Sequence, residues 1–470
     1  MNLKGVSYYL GLFCFPISIL SFINILYSSY FDYFLSIDSY FKTLLFSLMI
    51  GLGLLFFGRK SEKRIGFIDK LFLIVFVYLL ISILTAIPFY LSNYQVTFIN
   101  ALFESVSGIT GTGFSIFKNI KYLDPTLILW RSSSQWIGGL YFLFFLILIF
   151  SNKQFNFKMS DLTFSGDGSI NSEGNIKSLL LKIFIIYSLL SFIIFLLLNA
   201  SEVRLFNSLN LSMSLISAGG FIPTNSLNKI IETNPQKIVF IFSLILSMLN
   251  FFLIVNIFEK RIIIREHKED LYLIFLSIAL ILIIYFNNYG GLNLIISVLS
   301  CLSNSGLSLI NSENNLSLYF ILITIIGGSL VSNTSGIKFT RIYILLKTAS
   351  LEIMKLISPN SIINKSICGS EKKITNDNIK MSFLIFISFF ISLFILSSVL
   401  IVDNINFEKS FKLSILTITN TSTSEMFGIS NMDFANLLTT SKLSLIIFMI
   451  IGKIELISFF LIIKKVFFKN

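Results

Sequence analysis

The chain has 470 residues, of which 55% are hydrophobic and only 13% are charged, and its mean hydropathy is +0.85. This composition leaves too little polar surface to coat a soluble globule of that size, so it indicates a membrane protein. The formal net charge of +12 would also suit a nucleic-acid-binding protein. However, the Lys and Arg residues cluster after alternate apolar runs, which is typical of cytoplasmic loops, and we expect no nucleic-acid partner.

Apolar runs that can cross a hydrocarbon core of about 30 Å, which takes roughly 20 helical residues, recur along the whole chain. The ten predicted spans lie near residues 7–29, 42–57, 69–92, 126–151, 178–200, 236–258, 271–288, 316–349, 380–402 and 439–468. The first run lacks a small-residue cleavage site and precedes another span, which predicts a retained helix. The basic clusters predict a multi-pass protein in contact with membrane lipid, with both termini in the cytoplasm.

Four shorter stretches follow alternate spans and end in small and hydroxyl residues. They cover residues 98–114, 205–221, 292–307 and 407–424. Each is too short to span the bilayer and begins on the outer side, so it predicts a half-helix that enters the membrane and returns. Non-helical backbone at that depth is tolerated only where it is buried in protein or lines a water-filled path.

The unit of span, half-helix, small-residue tip and span repeats in one orientation. Such units can close around an axis along the membrane normal, whereas inverted units indicate a rocking transporter. A half-helix that enters from outside points its carbonyl end at the membrane centre, where the negative partial charge favours a cation. We predict an all-α polytopic membrane protein with four pseudo-symmetric repeats around a central pore, preceded by two extra transmembrane helices. The predicted units are an N-terminal two-helix unit at 1–64 and pore repeats at 65–160, 161–265, 266–375, with a broken inner helix, and 376–470.

Catalytic chemistry has little support in the sequence. Cys14, Cys301 and Cys368 have no paired spacing, and His267 is the single histidine, which argues against a metal site or a disulfide framework. No histidine can serve a membrane-embedded serine as base, and no close pair of carboxylates lies within a predicted span. No Gly-rich nucleotide fingerprint follows a predicted strand. We expect a protein that is not an enzyme and that holds no cofactor in this chain.

At the small-residue tips, the sequence resembles the Trk/Ktr/HKT superfamily of K⁺ transporters, specifically the bacterial membrane subunit of Trk type. The motifs that carry the resemblance are ALFESVSGITGTGFS at 101–115, WRSSSQWIGGL at 130–140, SAGGF at 217–221, SNSGL at 303–307, the Gly/Ser-rich stretch and basic helix at 327–347, and the last inner helix at 441–462. The resemblance covers essentially the full chain and implies K⁺ uptake across the plasma membrane, which is the inner membrane in bacteria. It also implies a homodimer and a cytoplasmic nucleotide-binding ring as regulatory partner.

By this resemblance, a K⁺ filter takes two residues from each tip. They are Thr112 and Gly113, Gly219 and Gly220, Ser305 and Gly306, and Thr421 and Ser422. Gly113, Gly220 and Gly306 match the family's filter glycines, and K⁺ is expected at these three and at Ser422. Glycine adopts positive φ without steric cost, so consecutive carbonyls can face one ion. Since Ser422 stands where the family has glycine, either the fourth tip turns differently or it stores about 1–3 kcal/mol of strain. This departure raises Na⁺ permeation or weak selectivity as the alternative to K⁺ uptake.

A run of small residues interrupts the eighth predicted span. It comprises Gly327, Gly328, Ser329, Ser332, Asn333, Thr334, Ser335 and Gly336, and most of these residue types weaken a helix. Small residues can let neighbouring helices approach closely, while the resemblance implies a gating loop that obstructs the pore. Lys453, about halfway along the last run, either pairs with Glu455 or another helix or, by the resemblance, forms an electrostatic barrier under the filter. The family commonly has arginine there, and lysine lacks its planar fork.

Three further residues have local interpretations. Glu104, in the middle of the first half-helix, either attracts cations or bonds to neighbouring backbone. Trp130 and Arg131 lie at the predicted outer end of a span, where anchoring at the membrane interface explains both of them.

Overall fold

Long apolar helices make up most of the protein. The structure, a computed structural model, describes residues 2–61, 65–150, 173–258, 268–285, 291–310, 316–358, 366–368, 374–429 and 432–454. The helices are α1 (Leu3–Tyr30), α2 (Phe34–Gly58), α3 (Phe67–Tyr90), α4 (Phe98–Thr110), α5 (Pro125–Phe150), α6 (Glu173–Ala200), α7 (Leu205–Ile216), α8 (Asn234–Met248), α9 (Phe251–Phe258), α10 (Lys268–Tyr285), α11 (Leu292–Leu302), α12 (Ser317–Ile325), α13 (Phe339–Ile357), α14 (Asn376–Val402), α15 (Phe407–Ile418) and α16 (Thr439–Ile454).

Several of these helices can cross a membrane by length and composition. In the part of the chain that the structure describes, five pass that test: α1, α3, α14, residues Ile37–Gly58 of α2 and residues Ser178–Ala200 of α6. The bent pair α8 and α9 forms a sixth if the pair counts as one span. The last predicted span, 439–468, is helical as α16 up to Ile454, and its remainder lies outside the described residues.

The four predicted re-entrant stretches each begin with a short helix: α4, α7, α11 and α15. These helices have 13, 12, 11 and 12 residues, and at about 1.5 Å per residue none can cross a core of about 30 Å. A residue in the left-handed conformation follows each helix within two positions, namely Gly111, Ala218, Asn304 and Asn420. The same turn thus recurs in all four repeats. We name the segments 110–114, 217–221, 303–307 and 419–423 tips one to four.

Glycines bring two inner helices against the ends of the half-helices. Gly138 of α5 lies against the backbone carbonyl of Ile109 in α4, and Gly452 of α16 lies against that of Ile418 in α15. A Cβ atom at either glycine would overlap the carbonyl group. Small residues allow this close approach of helices, and the equivalent contact in the first and fourth repeats is consistent with their pseudo-symmetry.

In the residues that the structure describes, two inner helices are interrupted, although the sequence predicted only one interruption. The predicted one lies between α12, which ends at Ile325, and α13, which begins at Phe339. The span predicted at 236–258 is not one straight helix, because α8 and α9 meet at an angle of 102° with Leu249 and Asn250 between them. Asn250 caps α9 by accepting a hydrogen bond from the backbone N–H of Phe252 at 3.0 Å, as asparagine commonly does at a helix start.

Candidate ion pathway

The four tips meet at one point. A Cβ atom on Gly113 would lie 2.7 Å from the Cα of Gly220 and 2.9 Å from the Cβ of Ser422. A Cβ atom on Gly306 would lie 2.5 Å from the carbonyl oxygen of Ser422. The four positions predicted to hold K⁺ are therefore in contact, one from each repeat. A side chain at any of the three glycines would collide with a neighbouring tip.

Ser422 takes a different backbone conformation from two of its counterparts. Gly113 and Gly306 have φ values of 80° and 71°, while the positive φ of the fourth tip falls on Asn420, at 48°. Ser422 itself does not have positive φ. Asparagine tolerates the left-handed region better than most residues. The fourth tip thus keeps the left-handed residue after its helix but lacks the second one of tips one and three, and its serine carries no left-handed strain. The Ser422 hydroxyl donates a hydrogen bond of 2.7 Å to the carbonyl oxygen of Ser305.

The predicted threonines connect the tips to one another. The Thr112 hydroxyl lies 3.1 Å from the side-chain amide of Asn420, which joins tip one to tip four. Asn304 donates to the Thr421 hydroxyl at 3.3 Å, which joins tip three to tip four. The remaining predicted position, Gly219, lies too close to the side chain of Gln135 in α5 to accept a Cβ atom.

A buried ion pair supports tip one from behind. Arg131 of α5 places its Nε 2.8 Å from Oε1 of Glu104 in α4, and the two side chains are only 1% and 0% exposed. Glu104 also accepts from the backbone N–H of Ile116 at 2.8 Å. The guanidinium of Arg131 lies 4.1 Å above the ring of Phe221 in tip two. Of the two interpretations of Glu104, the structure therefore has the carboxylate bonded to neighbouring groups of the protein.

The predicted interfacial anchors are buried inside the protein, so that interpretation was wrong. Trp130 is 1% exposed and donates from Nε1 to the carbonyl of Thr85 at 3.0 Å. Arg131 is held by Glu104, as described above. A sequence signal existed, because an arginine and a glutamate in apolar segments are each costly alone and favourable only when paired.

A water-accessible vestibule opens above the tips. Its volume is about 670 Å³, and its lining includes Gly113, Gly220, Gly306 and Ser422. On its wall, Lys118 Nζ lies 2.6 Å from Oδ2 of Asp433. The hydrogen bond from Lys118 holds the pKa of Asp433 below its usual value. A cation that enters this vestibule thus reaches all four of the positions that were predicted to bind K⁺.

The predicted gate residues between positions 327 and 336 form a loop whose ends are paired, which we name the inner loop (residues 327–336). Two short parallel strands, β1 (Ile326–Gly327) and β2 (Ile337–Lys338), pair at its ends. The Thr334 hydroxyl accepts from the backbone N–H of Gly328 at 2.9 Å, and Phe339 donates to the carbonyl of Gly328 at 3.1 Å. The small residues thus form a folded loop between two helices and not a continuous helix.

The inner loop folds around the ammonium group of Lys338. Lys338 Nζ donates to the carbonyl oxygens of Ser332 at 3.1 Å and Thr334 at 2.5 Å. It lies 3.3 Å and 3.2 Å from the hydroxyls of the same two residues. Lys338 is 1% exposed, and four oxygen atoms replace the water it would otherwise bind. The sequence interpretation did not single out this lysine, because it directly precedes a basic helix and resembled part of it.

Lys453 lies between the inner loop and the tips. Its Nζ donates to the carbonyl of Asn333 at 3.0 Å and lies 3.7 Å from the position of a Cβ on Gly111 in tip one. Asn333 in turn donates from Nδ2 to the carbonyl of Ile216, the last residue of α7, at 2.7 Å. The predicted gate residues Lys453 and Asn333 are therefore in contact with each other and next to the inner side of the tips. Glu455, the predicted alternative partner of Lys453, lies outside the described residues.

Two carboxylates that the sequence did not predict also touch the inner loop. Glu269 accepts from the backbone N–H of Leu330 at 2.9 Å, and Asp270 accepts from the hydroxyl of Ser329. Both begin α10, directly before the predicted span 271–288 and after a basic cluster. In that position they resembled solvated loop residues, and their burial depends on how α10 packs against two other elements.

Comparisons with known proteins relate the chain to cation transporters. The family model TrkH, described as a cation transport protein, matches residues 36–286. An uncharacterized cation transporter of Methanocaldococcus jannaschii is 25% identical over 484 aligned residues, which cover 100% of this chain and 97% of that protein. The Trk system potassium uptake protein TrkG of Escherichia coli is 25% identical over 459 residues, with 93% of this chain and 92% of that protein covered.

The same comparisons extend to solved structures. The crystal structure of the potassium transporter TrkH from Vibrio parahaemolyticus superposes with a TM-score of 0.87 at 18% identity and covers 100% of both chains. At this identity the match concerns the fold alone. It confirms the helical membrane fold that the sequence predicted.

Proposed function

The chain belongs to the TrkH family of cation transport proteins, and we propose that it takes up K⁺ along a path through its four tips. It is a membrane transport protein and not an enzyme. The observation that carries the proposal is the contact among Gly113, Gly220, Gly306 and Ser422, one residue from each repeat. The relative from Escherichia coli is named a potassium uptake protein, which supports K⁺ as the transported ion.

The proposed path begins in the outer vestibule. K⁺ sheds water where the tips meet, and backbone carbonyls of the filter residues replace its hydration shell. The carbonyl ends of α4, α7, α11 and α15 supply partial negative charge at that depth. Because the protein already holds these dipoles in place, dehydration of the ion requires little rearrangement of the tips.

The inner loop and Lys453 form the proposed gate. The ammonium of Lys453, bonded to Asn333 of the loop at 3.0 Å, puts a positive charge directly below the tips. A cation that leaves the filter is repelled by that charge and meets the buried loop behind it. Conduction then requires the inner loop to move away and release Lys453.

Permeation of Na⁺, or weak selectivity among monovalent cations, is the second candidate function. It is favoured by Ser422, whose hydroxyl donates to the carbonyl of Ser305 at 2.7 Å. A carbonyl that accepts from the protein is less available to an ion, and the extra side chain narrows the space between the tips. Both changes weaken the match to a dehydrated K⁺ ion.

The remaining features of the proposal concern assembly and placement. We propose a homodimer in the plasma membrane, the inner membrane in bacteria, with both termini in the cytoplasm and a cytoplasmic nucleotide-binding ring as regulatory partner. The naming of relatives as parts of a Trk system supports this context. The pore repeats are proposed to be residues 65–160, 161–265, 266–375 and 376–470.

Ion flux from the purified protein in liposomes tests the function. We expect K⁺ efflux down its gradient, a smaller Na⁺ flux, and rescue of growth at low K⁺ in a bacterium that lacks its own K⁺ uptake systems. Gly220→Ala should abolish the flux, since a Cβ there overlaps Ser422. Gly53→Ala is the matched control, because a Cβ at Gly53 meets no atom within 4 Å. Absence of flux for both ions, or normal flux in Gly220→Ala, would contradict the proposal.

A further inference from the structure

The two interrupted inner helices are in direct contact at their breaks. The backbone N–H of Phe251, at the start of α9, donates to the carbonyl of Val331 in the inner loop at 2.7 Å. The backbone N–H of Ser329 in the loop donates to the carbonyl of Met248, the last residue of α8, at 2.9 Å. Backbone groups that lose their helical partners must find others inside a membrane protein. Here the inner loop and the α8–α9 break supply hydrogen-bond partners to each other's backbone.

Asp270 bridges the two breaks with one oxygen atom. Its Oδ1 accepts from the backbone N–H of Asn250, between α8 and α9, at 2.9 Å. The same Oδ1 accepts from the hydroxyl of Ser329 in the inner loop. Asp270 is 2% exposed, and a carboxylate buried this deeply depends on such donors, which form stronger hydrogen bonds to a charged acceptor. The two donors come from elements that belong to different repeats.

Glu269 holds the inner loop at a second place. Its Oε1 accepts from the backbone N–H of Leu330 at 2.9 Å and from the hydroxyl of Thr340, in the first turn of α13, at 2.5 Å. The ammonium of Lys338, around which the loop folds, also attracts this carboxylate. Adjacent carboxylates on α10 therefore fix the beginning of the loop and the helix that follows it.

From this geometry we infer that Asp270 and Glu269 are positioning residues of the gate, which tie the inner loop to the α8–α9 break so that the two interruptions open together. The inference rests on the proposed gating role of the inner loop. Movement of the loop must break the hydrogen bonds to Asp270 and Glu269 and the two backbone bonds to Met248 and Phe251. Loss of one carboxylate therefore makes the open arrangement more accessible without touching the tips.

Flux measurements on full-length variants in liposomes test the inference. Asp270→Asn and Glu269→Gln keep the side-chain shape but remove the charge, and we expect the basal Rb⁺ flux of each to rise roughly tenfold, as expected when hydrogen bonds to a charged group are lost. The ratio of Rb⁺ to Na⁺ flux should stay as in the wild type, because the filter is unchanged. Asp377→Asn is the matched control, since Asp377 also lies in the first turn of a helix but is exposed; its flux should equal that of the wild type.

A second set of variants separates gating from folding. Ser329→Ala removes only the neutral hydroxyl that donates to Asp270, so it should raise the flux by a smaller factor. The double variant Asp270→Asn/Ser329→Ala should be no leakier than Asp270→Asn alone, because the two substitutions disrupt the same hydrogen bond. If Asp270→Asn does not fold, the fluxes of Ser329→Ala and Glu269→Gln still test the inference. Wild-type flux in folded Ser329→Ala and Glu269→Gln would overturn the inference, provided that the wild type conducts and that deletion of residues 329–335 raises its flux. Absence of flux in the wild type would instead refute the proposed function.

Discussion

The hydroxyl of Ser422 donates a hydrogen bond of 2.7 Å to the carbonyl oxygen of Ser305, from the fourth tip to the third. This bond lies at the filter positions, where the sequence has glycine in three repeats and serine in the fourth. Three repeats leave that space to backbone alone, and the fourth fills part of it with a side chain. In the proposed ion path, the hydroxyl competes with a permeating ion for the Ser305 carbonyl, and we expect ion choice to depend on this contact.

Substitution of Ser422 tests that dependence. Ser422→Gly should raise the K⁺ flux, and the ratio of K⁺ to Na⁺ flux, by roughly three- to tenfold, which corresponds to the net worth of one neutral hydrogen bond. Ser422→Ala keeps the Cβ and removes only the hydroxyl, so its ratio should fall between those of the wild type and Ser422→Gly. Flux assays in liposomes with both ions give these ratios. A strong K⁺ preference that is identical in all three proteins would remove Ser422 from the account of selectivity.

The Glu104–Arg131 pair should matter strongly for stability. Arg131→Met leaves the Glu104 carboxylate buried without its cation, and we expect a loss of about 3–5 kcal/mol in the free energy of unfolding. Glu104→Leu/Arg131→Met removes both charges and should recover most of that loss. Thermal unfolding in detergent, together with Rb⁺ flux, measures the two effects. Strictly additive losses in the double variant would show that the charges do not act as a pair.

The glycines behind the half-helices should tolerate no side chain. Gly138→Ala and Gly452→Ala each place a Cβ against a backbone carbonyl, of Ile109 and Ile418 respectively, and overpacking of this kind costs about 1–3 kcal/mol. We expect lower yields of folded protein and lower melting temperatures for both variants. Gly53→Ala, in open space on α2, serves as control. Equal melting temperatures for all three variants would contradict the packing described for these helices.

Lys453 should limit conduction through its charge. Lys453→Met removes the ammonium that bonds to Asn333 and repels cations below the tips, and we expect the basal flux to rise on the order of tenfold. Lys453→Arg keeps the positive charge and should remain close to the wild type. The comparison requires flux per folded protein, measured by size-exclusion chromatography before reconstitution. A rise of equal size in Lys453→Arg would mean that the Asn333 contact matters and the charge does not.

The ion pair of Lys118 and Asp433 contributes charge at the wall of the vestibule. Lys118 lowers the pKa of Asp433, so the carboxylate stays ionised at any pH above the usual aspartate pKa. The KM for K⁺ should therefore not change between about pH 7 and pH 5. The stabilisation from this pair is present above the ordinary aspartate pKa and is lost as pH falls through the lowered one. Asp433→Asn leaves Lys118 uncompensated and should raise the KM about threefold at low ionic strength.

Salt dependence supplies the control for the vestibule. At about 1 M salt the Debye length is near 3 Å, so the KM difference between Asp433→Asn and the wild type should largely vanish. Lys118→Asn removes the opposite charge and should lower the KM. An effect of Asp433→Asn that survives high salt would indicate a steric cause.

Sequence patterns over a few neighbouring residues predicted those parts of the fold that depend only on nearby residues. Stretches too short to cross the membrane and ending in small residues predicted α4, α7, α11 and α15, and the helix-weakening run predicted the inner loop. The bend between α8 and α9 escaped prediction because Leu249 and Asn250 include neither glycine nor proline. Its backbone is satisfied by Asp270 and by the inner loop, which lie far away in the sequence, so no local pattern reveals it.

In the site, too, features set by nearby residues were predicted, and features set by contacts between segments were not. The positions of Gly113, Gly220, Gly306 and Ser422 were predicted from motifs, and the structure brings them into contact. The direction of the Ser422 side chain was not predicted, because it depends on the position of the Ser305 carbonyl in another tip. The pairing of charges in α4 and α5 depends on how those two helices pack, which sequence spacing does not determine.

The pairing of Ile326–Gly327 with Ile337–Lys338 has a consequence for how such proteins diverge. Because β1 and β2 hold both ends of the inner loop side by side, α12 and α13 leave the same junction whatever lies between them. With the inner loop as the proposed gate, we expect insertions or exchanges within residues 328–336 to change how readily the pathway opens while the surrounding helices keep their course. The proposed function assigns ion choice to the tips, on separate segments of the chain. Under that proposal, we expect leakiness and ion selectivity to diverge independently among related proteins.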